Sequence, residues 1–280
     1  MKELIKRILS GSLYVALIVI AIITITSSPV PFLVIFGVFT LIAMWEINHM
    51  SLEGDVNAPL LSLIDMMGGL GTFIAIFLMY SGNESRTLWM LPILLYLVVR
   101  IVFQLYMPMV NALHSLQRSF MGIAYVALPL GLMSSICATA HPMMLLVVFI
   151  LLWVNDSGAY VFGSTLGRRK LFERISPNKS WEGFWGGLAT SVAVALALGH
   201  YCNNLFHGPT ELWAWGVLAV IVSVFGTLGD LAESLLKRTV EVKDASNLIP
   251  GHGGLLDRID SLLLACPAAL IYFIILKTYL

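Results

Sequence analysis

Nine long apolar segments, separated by short polar breaks, dominate the pattern of this chain. Each is close to the roughly 20 residues that a helix needs to cross the hydrocarbon of a bilayer. The breaks contain proline, glycine or serine, as in Ser27–Pro31 and Ser81–Ser85. We therefore predict nine membrane-spanning helices, at residues 9–27, 30–49, 60–80, 88–107, 119–138, 142–161, 183–202, 212–235 and 261–279.

The composition supports a membrane protein. Of the 280 residues, 59% are hydrophobic and 11% are charged, and the mean hydropathy is +0.90, beyond the range of soluble domains. The zero net charge gives no general attraction for nucleic acid. We predict one all-α, polytopic helix-bundle domain over 1–280, with N-terminal spans in 1–140 and catalytic spans and cytoplasmic loops in 141–280.

The lysines and arginines predict the orientation. With the N-terminus in the cytoplasm, the inner segments hold all of the 16 lysines and arginines except Arg86, Arg100 and Lys277. Positive residues favour the cytoplasmic side. The loops 162–182 and 236–260 would then face the same side, where their charged residues could meet.

Asp230, Glu233, Ser234 and Lys237 recur at i, i+3, i+4 and i+7, so they share one face of the eighth predicted helix. Ionisable side chains are costly at a membrane edge, which favours a functional role. Polar contacts within the bundle, pairing of the acids with neighbouring bases, or a snorkelling helix end are the alternatives. Two glycines precede the stripe and would allow close approach of a neighbouring backbone.

A second polar group opens the last predicted helix. Asp257, Asp260 and Ser261 share a helix face there, although acids in a first turn also suit the helix dipole as capping groups. The preceding Pro250–Gly254 segment predicts a tight glycine loop with N–H groups that could cradle phosphate.

A third group spans residues 155–183. Asp156 falls within an apolar span, which favours a buried functional acid. A phosphate contact is favoured for Lys179, which lies before a helix start, whereas the run Arg168–Lys170 is equally explained as topogenic charge. Glu46 and Asp65 are expected to be structural.

Clustered carboxylates suit Mg²⁺, and nearby bases suit a polyphosphate. Two metals that clamp the attacking and leaving oxygens are one known solution for in-line displacement at phosphorus. Residue types alone therefore indicate phosphate chemistry at the level of lipid headgroups.

The C-terminal motifs resemble the phosphatidate cytidylyltransferase (CDP-diacylglycerol synthase) family. That family has S-x-x-K-R, four residues, K-D, and then P-x-H-G-G-x-x-D-R-x-D, and this chain matches it from Ser234 to Asp260 without departure. The segments Asp156–Tyr160, Ser176–Gly183 and Gly229–Ser234 are similar too. The resemblance covers about residues 150–262.

The resemblance implies transfer of the cytidylyl group of CTP to phosphatidate, which gives CDP-diacylglycerol and pyrophosphate. It also implies a multi-pass bacterial inner-membrane enzyme that uses Mg²⁺ and opens to the cytoplasm. Asp230 and Asp257 match the metal-binding acids of the family, and Asp260 is a further candidate ligand. We predict a catalytic set of Asp230, Asp257, Asp260, Lys237 and Asp244. We predict substrate contacts from Asp156, Lys179, Ser234, Arg238, Lys243, His252, Gly253, Gly254 and Arg258.

Other interpretations stay open at this point. A CTP-dependent polyprenol kinase would use similar residues, and an ion-coupled transporter would also place acids in spans. The sequence leaves open the oligomeric state, with a homodimer as one option, the acyl-chain preference, CTP against dCTP, and whether a second divalent or a monovalent cation accompanies Mg²⁺.

Overall fold

The computed structural model describes residues 2–51, 58–81, 88–107, 111–246, 248–249 and 253–279, without the side chains of 2–8, 51, 58 and 81. Helices dominate it, which confirms the predicted all-α class. The helices are α1 (Lys2–Thr24), α2 (Val30–Ser51), α3 (Ala58–Ser81), α4 (Leu91–Tyr106), α5 (Ala112–Gly122), α6 (Leu128–Thr139), α7 (Pro142–Leu166), α8 (Trp181–Tyr201), α9 (Asn203–Phe206), α10 (Leu212–Thr239) and α11 (Leu256–Tyr279).

Eight helical segments of the described chain are long and apolar enough to cross a membrane, and Leu9–Thr24 is a shorter apolar helix. They coincide with the nine predicted spans, so the chain is a multi-pass helix bundle. The fifth span is continuous over Ala112–Thr139 because a π-helical segment, Ile123–Ala127, joins α5 to α6. Many apolar side chains point outward, as on α4, where Leu95, Val98 and Leu105 are exposed as lipid-facing residues should be.

One structural feature was missed from sequence. The predicted loop after the sixth span contains a hairpin of β1 (Lys170–Phe172) and β2 (Ser176–Ser180), paired antiparallel. Its hydrogen bonds satisfy backbone groups in a segment too polar to continue α7. The hairpin leads directly into α8, and the Ser180 hydroxyl accepts a hydrogen bond from the Gly183 N–H as an N-cap.

The chain divides into two compact units. The first unit comprises Met1–Ser135 and Val242–Arg258, and the second comprises Ile136–Glu241 and Ile259–Leu280. Aromatic side chains fill the core of the first unit, where Phe32 lies 4.7 Å from Phe36 and 6.4 Å from Phe73 between ring centroids.

Small residues allow close packing in the second unit. A Cβ added to Gly187 on α8 would lie 2.6 Å from the Asn155 carbonyl oxygen of α7, and one added to Gly183 would lie 2.8 Å from that of Ala159. Without the driving force of water, helices in lipid associate through such close backbone contact. The α7–α8 pair therefore forms a firm support for the polar residues at its ends.

Candidate active site

An ion pair between Lys179 and Asp230 is the centre of the polar group in the second unit. The Lys179 Nζ lies 2.5 Å from Asp230 Oδ2, and the two side chains are 24% and 34% exposed. The Ser234 hydroxyl, one turn further along α10, donates a 3.3 Å hydrogen bond to Asp230 Oδ1. The predicted stripe on α10 is thus a real helix face, and Lys179 of β2 meets it.

Asp260 on α11 extends this group. Its carboxyl is repelled by Asp230 and Asp156 and attracted by Lys179. Three acids therefore share one neighbourhood with Lys179. We call Asp156, Lys179, Asp230 and Asp260 the open acid group, because its central pair is partly exposed.

Glycines of α10 bring α11 to this position. A Cβ added to Gly229 would lie 2.5 Å from the Asp260 carbonyl oxygen and 3.1 Å from the Ser261 Cα, and one added to Gly226 would lie 2.5 Å from Leu152 Cδ2. The prediction that glycines before the stripe allow a neighbouring backbone to approach is confirmed at Gly229, where the neighbour is the first part of α11, whereas Gly226 lies against a side chain of α7.

Two further charged residues of the same part of α10, Lys237 and Arg238, have partners too. Lys237 forms an ion pair of 2.5 Å with Glu233 one turn earlier, and Glu233 is fully buried. The Arg238 side chain is exposed, and its Nε lies 3.5 Å from the Ile175 carbonyl oxygen. The pairing of acids with bases, which was an alternative to a functional role, is therefore present in this structure, and substrate contacts by Lys237 and Arg238 stay predictions.

Asp156 corrects one expectation. It was predicted to be buried in an apolar span, and this was wrong: its side chain is exposed. The helical rotation of about 100° per residue explains the error. Asn155 and Gly158 face α8. Asp156 follows Asn155 directly in the chain, so its side chain lies on a different, outer side of α7.

Asp257 lies in the first unit and accepts hydrogen bonds from backbone amides before and at the end of the glycine loop. Its Oδ2 accepts hydrogen bonds from the N–H groups of Gly254 at 2.7 Å and Ala245 at 3.1 Å. Gly253 has a φ of +80°, which favours glycine, and a Cβ there would lie 2.9 Å from Asp257 Oδ2. The carboxylate therefore serves the loop as a capping group, the alternative weighed for it, and its predicted metal contact stays a prediction.

The remaining predicted residues surround that loop. Lys243, Asp244 and Arg258 have exposed side chains, and the Arg258 carbonyl oxygen accepts a 3.1 Å hydrogen bond from the Tyr14 hydroxyl of α1. His252 lies outside the described residues. The prediction that Asp257 shares one cation cluster with Asp230 joins residues of different units and stays a prediction.

Glu46 was only partly understood from the sequence. It was expected to be structural, and its contacts agree with that: the fully buried carboxylate accepts hydrogen bonds from the segment that precedes Asp257, a partnership that sequence reasoning did not identify. A glutamate inside an apolar run was the available signal, because such a residue needs buried partners.

The open acid group has the chemistry of a magnesium site. Among the residues that the structure describes, no three His, Cys, Asp or Glu side chains form a ready-made metal cage. Mg²⁺ does not require one, since it is usually held by one or two carboxylates together with waters and substrate phosphates. The carboxylates of Asp230 and Asp260 fit that requirement.

Comparisons with known proteins identify the family of this chain. A family model described as the cytidylyltransferase family matches residues 5–276. A phosphatidate cytidylyltransferase of Haemophilus influenzae is 49% identical over 134 residues, which are 48% of this chain and 46% of that protein. One of Staphylococcus haemolyticus is 32% identical over 244 residues, 85% of this chain and 90% of that protein. The chain thus spans about half the length of the first relative and nine-tenths of the second.

Proposed function

The chain belongs to the cytidylyltransferase family, and from that premise we propose that it transfers the cytidylyl group of CTP to phosphatidate. The products are CDP-diacylglycerol and pyrophosphate. The observation that carries the chemistry is the open acid group, in which Lys179 and three carboxylates of membrane-length helices lie together.

The reaction is an in-line displacement at phosphorus. An oxygen of the phosphatidate phosphate attacks the α-phosphorus of CTP, and the bond from that phosphorus to the oxygen bridging to the β-phosphate breaks. The nucleophile is already an anion, so no covalent enzyme intermediate is needed. The main barrier is the approach of two polyanions, which positioned cations lower.

The residues of the second unit divide this work. Lys179 would offset charge on a phosphate, and Asp230 and Asp260 would hold Mg²⁺. When bound, that ion would neutralise phosphate charge and orient the reacting groups. Ser234 fixes the Asp230 carboxylate through its 3.3 Å hydrogen bond. Lys237 and Arg238 of the second unit are further candidates for the triphosphate. In the first unit, Lys243 stays a candidate for a phosphate contact and Asp257 for a cation contact.

An apolar groove on the second unit suits the lipid. It has a volume of about 420 Å³ and is lined by α7 and α8 side chains, among them Ile150, Trp153, Val161 and Phe162. In the sequence of α7, Asp156 stands between residues whose side chains line this groove. We propose that one acyl chain of phosphatidate lies there, with its headgroup directed at Lys179. A soluble phosphate analogue without chains that reacts as fast as phosphatidate would contradict this placement.

We propose a bacterial inner membrane as the location, with the open acid group facing the cytoplasm, where CTP is available. The lysine and arginine distribution supports that orientation. A polyprenol kinase or an ion-coupled transporter is not favoured by the comparisons.

The test uses purified protein in detergent with phosphatidate, Mg²⁺ and CTP that is radiolabelled at either the α- or the γ-phosphorus. Cytidylyl transfer puts the α-label into lipid and releases the γ-label as pyrophosphate. A kinase would put the γ-label into lipid, and a transporter would transfer neither. Either of those results would overturn the proposal.

A further inference from the structure

Glu46 on α2 holds the beginning of α11, although more than 200 residues separate them in the chain. Its Oε1 accepts hydrogen bonds from the Ser246 hydroxyl at 2.6 Å and the Leu255 N–H at 2.9 Å. Its Oε2 accepts one from the Leu256 N–H at 2.6 Å. The glutamate is fully buried, so both oxygens are committed to this loop.

The beginning of α11 needs such a partner from outside. The first N–H groups of a helix have no acceptor within the helix and are usually served by a polar N-cap side chain. Leu255 precedes the first helical residue here and offers no acceptor. Leu255 and Leu256 are 3% and 0% exposed, so water cannot substitute. The carboxylate of Glu46 also suits the positive end of the helix dipole.

Glu46 and Asp257 divide the amides of the loop between them. Asp257 accepts from Gly254 and Ala245, whereas Glu46 accepts from Leu255 and Leu256. If Glu46 could not accept, Asp257, on the first turn of the same helix, would be the carboxylate beside the unserved amides. Whether Glu46 accepts these bonds therefore determines how many of the nearby backbone amides Asp257 must cap.

Gly254 also fits closely against Glu46. A Cβ on Gly254 would lie 2.7 Å from Glu46 Oε1 and 3.0 Å from its Cδ. Only a residue without a side chain leaves that carboxylate in reach of both leucine amides. This observation is independent of the hydrogen bonds and indicates the same close fit.

We propose that Glu46 is a positioning residue for cytidylyl transfer, which orients Asp257 and the glycine loop from a helix of the N-terminal half. The inference rests on the proposed function for the catalytic role of Asp257. The structural link from Glu46 to α11 stands on the contacts alone.

The test is Glu46→Gln, which keeps size but places an amide NH₂ where one of the N–H groups now finds an acceptor. Hydrogen exchange of peptides covering 253–258 should speed up by roughly tenfold or more, because a buried amide loses its partner. The kcat per folded molecule should fall by about 10²-fold, as expected for a misplaced catalytic loop, with little change in the KM for CTP. Ser246→Ala removes one donor and should shift both readouts in the same direction but less.

Asp65→Asn is the matched control, since it alters a buried carboxylate of the first unit that does not contact the loop. It should lower thermal stability without raising exchange at 253–258. The inference is overturned if Glu46→Gln keeps wild-type exchange there, or if its kcat per folded molecule is unchanged. A wild-type protein that transfers no cytidylyl group overturns the proposed function instead, and the exchange data still decide whether Glu46 holds the loop.

Discussion

Two buried or half-buried acid–base groups in this molecule differ in how exposed their charged side chains are and in how fully hydrogen bonds occupy their carboxylates. In the first unit, Asp65 and Arg100 are both fully buried, with Arg100 Nε 3.2 Å from Asp65 Oδ1. Arg100 also donates to Ser119 at 2.9 Å, Gln104 at 3.0 Å and Ser115 at 2.6 Å. We call this the closed network. In the open acid group of the second unit, three carboxylates share one lysine, and its central pair is partly exposed.

The two groups therefore use charge in different ways: one for helix packing and the other, as proposed, for ligand binding. The closed network leaves little capacity for a ligand, because both Asp65 oxygens already accept hydrogen bonds, from Tyr96 at 2.8 Å and Ser119 at 2.7 Å. It joins α3, α4 and α5 and so specifies their packing. The central pair of the open acid group is partly exposed, so a cation and phosphates can reach it.

The sharpest test of this contrast is Asp230→Asn in the open acid group. Activity should fall by about 10²- to 10³-fold, as for loss of one electrostatic contact to a transition state. Thermal stability should change by less than about 1 kcal/mol, because a partly exposed ion pair contributes little to folding. Incorporation of α-labelled CTP into lipid and a melting curve in detergent measure the two effects. Wild-type turnover would contradict the role of Asp230.

Asp65→Asn is the converse test in the closed network. It leaves Arg100 buried without its counter-charge, so the free energy of unfolding should fall by about 3 kcal/mol. Activity per folded molecule should stay near wild type, because the network does not belong to the proposed site. Melting curves and cytidylyl transfer on monodisperse protein provide the measurement. A large loss of kcat with unchanged stability would remove the distinction between the two groups.

Magnesium should act on the open acid group and not on the closed network. A chelator should abolish transfer by the wild type. Asp260→Asn should raise the Mg²⁺ concentration for half-maximal activity by about tenfold, since one of the carboxylates that fit the ion is lost. Asp65→Asn should keep the wild-type Mg²⁺ dependence. Identical Mg²⁺ curves for Asp260→Asn and wild type would show that Asp260 is not a ligand.

Helix packing under the open acid group gives a smaller effect. Gly229→Ala puts a methyl 2.5 Å from the Asp260 carbonyl oxygen, so α10 and α11 must separate, at a cost of about 1–3 kcal/mol. Gly216→Ala on the same helix is the matched control, because its Cβ would lie 3.6 Å from Leu196 Cδ2, an ordinary contact. We expect lower stability and activity for Gly229→Ala only. Equal melting temperatures for the two variants would contradict the close contact.

The sequence predicted the helices of this fold well because lipid imposes a simple rule on length and hydropathy. It predicted the α10 stripe for a related reason: the helical period decides which side chains share a face. The prediction that Asp156 is buried failed, since the burial of a residue within a span depends on which helix packs beside it. Likewise, Glu46 gave no local sign of its partners, because Leu255 and Leu256 lie about 210 residues away.

A histidine pair outside both groups gives the smallest predicted effect. His141 precedes α7, and its Nδ1 accepts a 3.2 Å hydrogen bond from the Met143 N–H, while its ring lies 4.2 Å from that of His207. Burial, and then the neighbouring His207, lower the pKa of His141 below its ordinary value. The unfolded chain therefore takes up the proton first, so stability should be complete above about pH 6.5 and decline below it, by no more than about 2 °C in melting temperature.

His141→Asn keeps an N-cap acceptor without a titrating group. Its melting temperature should lose this part of the pH dependence, while its activity at neutral pH stays at the wild-type level. An unaltered pH dependence in His141→Asn would assign the acid sensitivity to other groups, whereas a loss of neutral-pH activity would mean that the site extends beyond the open acid group.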